Sequence, residues 1–281
     1  MKHAMPILLA GLLSACSSSS DPDVKRHFID DGKPHPLVIL LGGSEGGNTL
    51  AKPHFAPLLE RFHDHGMSVA ALAYYGTSGT PSRQIALPLD DIAERISALA
   101  NDPKINSNCI AVYGFSKGAE LALLLAAHFE HINHAVAIMP SHVSWNAVKT
   151  VTSQPGWQLN KTPLAYVDAP LLSWQMQKGV ISGTYTPAFN AALEKADTTT
   201  LEAARIPVET TNGPILLVSA KQDEIWPSHA MANKITESLE QANFSHPYQH
   251  IALPGGHYSF NRETQNQVNQ FLTRTLVNQC Q

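Results

Sequence analysis

The sequence predicts an α/β domain: a mostly parallel, doubly wound sheet, covered by helices on both faces, with a lid insertion between two strands. Two observations carry that expectation. Short, continuous apolar runs alternate with longer stretches whose apolar residues recur every three or four positions. One interval between apolar runs, residues 140–213, is several times longer than a usual loop.

Taken in order, residues 36–41 (PLVILL) are branched, continuous and stopped by Gly42-Gly43, the pattern of a strand buried on both faces. Residues 68–73, 109–113, 135–139, 214–219 and 248–253 repeat that pattern. Between them, 55–65, 87–99, 117–129, 229–242 and 263–277 carry helical spacing. The interval centred on 141–213 holds Trp145, Trp157, Trp174, Tyr166, Tyr185 and Phe189. An aromatic-rich insertion at the open edge of a sheet suggests a lid over a pocket, and an extra helical layer without a substrate role is the alternative.

Residues 1–15 resemble a bacterial lipoprotein signal peptide. Lys2 and His3 precede a short apolar stretch, and Leu13-Ser14-Ala15-Cys16 ends it at the cysteine that would carry the lipid. Residues 16–30, in which four serines follow Cys16, are expected to be a flexible tether, and 31–281 the α/β domain that carries the lid insertion. The protein is therefore expected outside the cytoplasm, held at a membrane through Cys16. In such a compartment disulfides persist, so Cys109 and Cys280 form either a bridge or two buried thiols. With 19 basic and 23 acidic side chains and a net charge of −4, the chain has no electrostatic footprint for nucleic acid.

Gly114-Phe115-Ser116-Lys117-Gly118 fits G-x-S-x-G, the turn that exposes a nucleophilic serine between a strand and a helix. Gly42-Gly43-Ser44-Glu45-Gly46 fits it too, but only Ser116 stands between a predicted strand and a predicted helix. The backbone N–H of Lys117 is one expected oxyanion donor, and that of Ser44, with Glu45 next, is the second. His257 follows the last predicted strand in Pro254-Gly255-Gly256-His257-Tyr258, and Asp223 follows the preceding one. Ser116, Asp223 and His257 thus stand in the Ser…Asp…His order of an α/β-hydrolase, with Asp223 preferred to the adjacent Glu224.

The segments 41–47 (LGGSEGG), 114–123 (GFSKGAELAL), 223–228 (DEIWPS) and 256–258 (GHY) resemble the acyl-CoA thioesterase / bile acid-CoA:amino acid N-acyltransferase C-terminal family. The resemblance implies the α/β-hydrolase fold and hydrolysis of an acyl thioester through an acyl-enzyme on Ser116, with no cofactor. Members that transfer the acyl group to an amino acid carry cysteine at the nucleophile position, so serine favours hydrolysis. The expected partner is a small acyl thioester or, alternatively, an oxyester of the kind carboxylesterases and lipases cleave. A peptidase of the same fold and a non-catalytic binding protein are further rivals. Fourteen histidines, among them His128, His131 and His134, lack metal-ligand spacing, so no metal is expected. Lys117 and Glu120 are expected to pair across the first helical turn, and Trp226 to pack beneath the Asp223 loop.

Overall fold

The computed structural model describes residues 23–280; Cys16, the signal segment 1–15 and the serine run lie outside them. In chain order the elements are β1 (Val24–His27), β2 (His35–Leu41), α1 (Ala56–His63), β3 (Ser68–Leu72), β4 (Leu87–Pro88) and α2 (Leu89–Ala100). Next come β5 (Ile105–Phe115), α3 (Lys117–His128), β6 (His134–Ile138), β7 (Trp157–Leu159) and β8 (Thr162–Pro163). Three helices of the insertion follow, α4 (Trp174–Ser182), α5 (Thr186–Lys195) and α6 (Thr198–Ala204). The chain closes with β9 (Ile215–Ala220), α7 (Ser228–Gln241), β10 (Tyr248–Leu253) and α8 (Arg262–Leu272), whose last turn widens to a π-helix over Thr273–Val277.

The main sheet has seven strands in the order β1-β3-β2-β5-β6-β9-β10, parallel throughout except for β1 at one edge. Its central strands carry continuous apolar runs, among them Leu37–Leu41 and Cys109–Tyr113, because both faces are covered there. Leu37, Ile39, Val112 and Leu217 face α2, α3 and α7; Val38, Leu40, Tyr113 and Val218 face α1 and α8. The period-two alternation of a strand divides one continuous apolar run between two cores.

One expectation needs correction. The tether does not reach residue 30, because Val24–His27 pairs antiparallel with β3, in register Val24 to Leu72. Its Lys25 and Arg26 are exposed, and a short charged strand suits a sheet edge that must not recruit another. The insertion is built from regular elements. Besides α4–α6 it supplies β7 and β8, which join β4 in a small second sheet. Ser173 caps α4 by accepting from the Met176 N–H, and Asp197 caps α6 from the Thr200 N–H.

Cys109 on β5 is joined to Cys280, 171 positions further along the sequence, by a disulfide with Cα atoms 6.2 Å apart. The Asn106 amide donates to the Cys280 carbonyl (3.2 Å), so the C-terminus is pinned where β5 begins. A cross-link over so long a loop restricts the unfolded chain far more than the folded one. Cys280→Ser is expected to lower stability by about 2–4 kcal/mol. Thermal denaturation without reductant checks it, and intact mass after thiol alkylation should find neither cysteine of the native protein labelled.

Candidate active site

The site lies at the C-terminal edge of the parallel strands, where chain ends diverge and leave a crevice. Ser116 occupies the turn between β5 and α3 with φ 56° and ψ −120°, a backbone conformation that L residues rarely adopt. Tight packing holds it there. A Cβ at Gly114 would collide with the Gly118 carbonyl, and one at Gly118 with the carbonyls of Leu41 and Gly42. Both glycines are therefore required by close approach of strand, helix and the 42–47 loop. The turn aims the start of α3, with its unpaired N–H groups, at the space above Ser116.

His257 follows β10 and is 1% exposed. Its Nδ1 lies 2.8 and 2.9 Å from the two carboxylate oxygens of Asp223, which is itself buried. Asp223 Oδ1 also accepts the N–H groups of Ile225 (3.0 Å) and Trp226 (3.2 Å), so the carboxylate is fixed before the histidine meets it. Trp226 packs edge-on to the His257 ring and donates from Nε1 to the Met139 carbonyl (3.2 Å), bracing the loop from below. Phe115 stands against the other side of the imidazole, ring centres 5.2 Å apart. The structure thus brings Asp223 and His257 into contact, and His257 and Ser116 border one cavity of about 640 Å³.

Glu224 has a separate task that sequence reasoning did not find. Its carboxylate accepts the His257 backbone N–H (2.9 Å) and fills the space a side chain at Gly256 would need. Two adjacent acids therefore hold one histidine, Asp223 by its ring and Glu224 by its backbone.

Ser44 and Glu45 line the same cavity as Ser116. Two tyrosines just past the end of β3 shape their loop: the Tyr74 hydroxyl donates to the Gly42 and Gly43 carbonyls (2.8 and 3.0 Å), and Tyr75 to the Ser44 carbonyl (2.6 Å). Three carbonyls are thereby turned toward the tyrosines. The Glu45 carboxylate accepts the Gly43 N–H (3.2 Å), closing the turn on itself. The only signal for these tyrosines was their position, directly after a parallel strand at its functional end.

Behind Ser116, Lys117 and Glu120 form a buried ion pair (2.9 Å). The Lys117 ammonium also donates to the Trp145 carbonyl (3.1 Å), and Glu120 Oε1 accepts from Trp157 Nε1 (2.6 Å) and the Trp145 N–H (3.1 Å). Burial pulls the Lys117 pKa below its ordinary value, while Glu120 acts in the opposite direction. The pair and its neighbours tie α3 to the insertion.

The expected role of 141–213 as the cover of the pocket is corrected by this packing. Among the described residues, none of those lining the cavity comes from that segment. Its large side chains go elsewhere: Trp145 and Trp157 lie against α3, while Thr186 donates to the Asp223 carbonyl and Tyr185 N–H to that of Glu224. The insertion supports α3 and the Asp223–Glu224 loop from behind. The walls are Leu50, Phe55 and Leu58, from two short 3₁₀ turns and α1, and Phe260 just before α8.

Among the described residues no group of three or more His, Cys, Asp or Glu is placed to hold a metal, and no helix is long and apolar enough to cross a membrane. The histidines singled out by their spacing serve in packing: His131 bonds the Ser97 hydroxyl and His134 the Thr275 carbonyl.

Comparison with known proteins agrees with the resemblance. Residues 88–259, more than half of the chain, match the family described as BAAT / Acyl-CoA thioester hydrolase C terminal. The chain is 25% identical over 237 residues to the mouse (Mus musculus) peroxisomal succinyl-coenzyme A thioesterase, covering 82% of this chain and 51% of that protein. It is 28% identical over 250 residues to mouse acyl-coenzyme A amino acid N-acyltransferase 1, covering 84% and 54%. It therefore spans about half the length of these curated relatives. Among solved structures, the Pyrococcus furiosus esterase superposes with a TM-score of 0.53 at 16% identity, over 89% of this chain and 86% of that one. That likeness is one of fold, and the fold is that of the α/β-hydrolases. With the Ser116 turn, the Asp223 loop and the His257 loop on three strand ends of that fold, the chain belongs to the BAAT / acyl-CoA thioester hydrolase C-terminal family.

Proposed function

We propose that this protein is a serine hydrolase that cleaves acyl thioesters through a Ser116–His257–Asp223 triad. The observation that carries the reading is the buried contact between Asp223 and His257 Nδ1 (2.8 Å), on a histidine that shares its cavity with a serine held at φ 56°. A carboxylate on Nδ1 fixes the tautomer in which Nε2 is free to take a proton.

In this mechanism Ser116 Oγ attacks the acyl carbonyl carbon while His257 Nε2 accepts the hydroxyl proton. The negative charge that develops on the carbonyl oxygen is met by backbone N–H groups of Lys117 and Ser44, with Glu45 next. Collapse of the tetrahedral intermediate breaks the carbon–sulfur bond, and His257 returns the proton to the departing thiolate. Water, deprotonated by His257, then attacks the acyl-enzyme and regenerates Ser116. Asp223 stays ionised and stabilises the imidazolium at both steps.

Membership of the family and the presence of serine, not cysteine, support hydrolysis over transfer to an amine. The relatives' names point to coenzyme A thioesters, whereas the segment ending at Cys16 supports a lipid-anchored protein outside the cytoplasm, where another thioester would serve. The same machinery would cleave an oxyester. Steady-state turnover of acyl thioesters against oxyesters of the same acyl group separates the two: a higher kcat/KM for the thioesters is expected. Preference for the oxyesters would establish a carboxylesterase, and a folded protein inert to both would be a binding module.

A further inference from the structure

Among the described residues six large apolar side chains stand exposed, and four of them fall in one stretch of ten: Leu172, Trp174, Val180 and Ile181. The geometry of α4 explains how they come to face outward. Met176 and Gly179 form its buried side, and a Cβ at Gly179 would collide with the Tyr185 ring. Trp174, Lys178 and Ile181, at i, i+4 and i+7, line the opposite side. Trp174 is 69% and Ile181 88% exposed, and the Lys178 ammonium lies 5.0 Å from the centre of the Trp174 ring. A cluster of this kind marks a surface that meets something apolar.

Its charge, its composition and its place in the fold point to a lipid bilayer. Lys178 is the only charged side chain between Asp168 and Glu194, in a chain whose net charge is −4. An anionic lipid surface attracts such a cation and meets no carboxylate there. An indole settles at the level of the headgroups, an isoleucine reaches the acyl boundary, and a lysine lays its stem along both while its ammonium stays with the phosphates. The helix also stands beside the mouth of the cavity. It ends at Gly183, and two residues later the Tyr185 N–H donates to the Glu224 carbonyl (2.6 Å), whose neighbour Ile225 borders the cavity.

The described chain begins at that same edge of the sheet. The Ala73 N–H donates to the Asp23 carbonyl (2.8 Å), just past the C-terminal end of β3. Cys16 lies seven positions before Asp23, a reach of at most about 25 Å. The four strand spacings from β3 to β9, whose end carries the Glu224 loop, amount to about 19 Å. A lipid on Cys16 would therefore draw to the membrane the edge on which α4 stands.

We propose that the outer face of α4 rests in the surface of a lipid bilayer and holds the mouth of the Ser116 cavity beside it. This contact requires no catalysis, so it stands or falls apart from the thioesterase reading.

Trp174 is its own probe, because Trp145, Trp157 and Trp226 are buried. The full chain is mixed with phosphatidylcholine vesicles, with and without phosphatidylglycerol, whose acyl chains are brominated near the headgroup or left unmodified. Trp174 emission is expected to move to shorter wavelength and to be quenched by the bromine, and Trp174→Phe should leave a spectrum that vesicles do not change. Ile181→Asp should weaken partitioning at least about tenfold. So exposed a position disturbs no packing, and residues 1–22 are the same in both proteins, so any hold they have on the vesicles cancels. Lys178→Gln should lose about fivefold on vesicles with phosphatidylglycerol and nothing on those without it. A Trp174 that stays unshifted and unquenched, whether or not the protein sediments with the vesicles, overturns the proposal. So does a shift that follows protein concentration in the absence of lipid, which would make the patch a contact between two copies of this chain.

Discussion

Ser116→Ala is expected to abolish covalent labelling by a fluorophosphonate and to lower kcat/KM toward any ester or thioester by at least about ten-thousandfold. The residual rate comes from the oxyanion donors and from binding, neither of which the substitution touches. The variant should fold normally. Gly114, Gly118 and the 42–47 loop impose the turn through backbone contacts, and alanine introduces nothing larger than the Cβ already present. Asp223→Asn gives a second reading of the same site. Asparagine still accepts the Ile225 and Trp226 N–H groups, so the loop keeps its shape, but it can present its amide to His257 Nδ1 and reverse the tautomer. A loss of about ten-thousandfold with unchanged thermal stability is expected. Labelling that survives Ser116→Ala, located by mass spectrometry of the modified peptide, would place the nucleophile elsewhere, with Ser44 the first alternative.

The contrast between these residues and the pocket shows what a sequence can reveal. Ser116, Asp223 and His257 were legible because each follows a continuous apolar run, and a parallel sheet brings the ends of such runs to one edge. The six apolar strands were legible for the same reason. Val24–His27 was not, since a four-residue edge strand with two exposed charges has no apolar signature. Leu87–Pro88 and Thr162–Pro163 are shorter still, and their pairing is decided by tertiary packing. The caps at Ser173 and Asp197 could have revealed two helices of the insertion.

The substrate cavity was the least legible feature. An aromatic-rich insertion at the sheet's open edge has the composition of a lid, yet its tryptophans are drawn to the one buried carboxylate of α3. The Trp157 indole N–H and the Trp145 backbone N–H both donate to Glu120, and that demand turns the insertion toward the face opposite the cavity. The actual walls, Leu50, Phe55, Leu58 and Phe260, sit in stretches that look like ordinary helix entrances. Only their placement around Tyr113 and Gln265 makes them a channel.

Glu120→Gln is expected to lower the free energy of unfolding by about 3–5 kcal/mol. The Lys117 side chain is 3% exposed and that of Glu120 not at all, so water cannot replace the lost counter-charge. Glutamine keeps an oxygen for the Trp157 and Trp145 N–H groups but leaves an ammonium facing only dipoles, the carbonyls of Trp145 and Asn146. Burial already lowers the Lys117 pKa and Glu120 opposes that shift, so the variant's lysine should fall further. Its folded pKa then lies below the unfolded value, the unfolded chain binds more protons, and stability rises with pH until lysine is neutral in both states. The deficit should therefore be fullest near neutral pH and shrink as pH is raised toward 10. Lys117→Met combined with Glu120→Gln removes the stranded charge while keeping the indole acceptor, and should recover most of the loss at neutral pH. Urea denaturation of the three proteins across that range decides the matter. A Glu120→Gln deficit that is small, or that does not change with pH, would mean the ion pair is not what joins the nucleophile helix to the insertion.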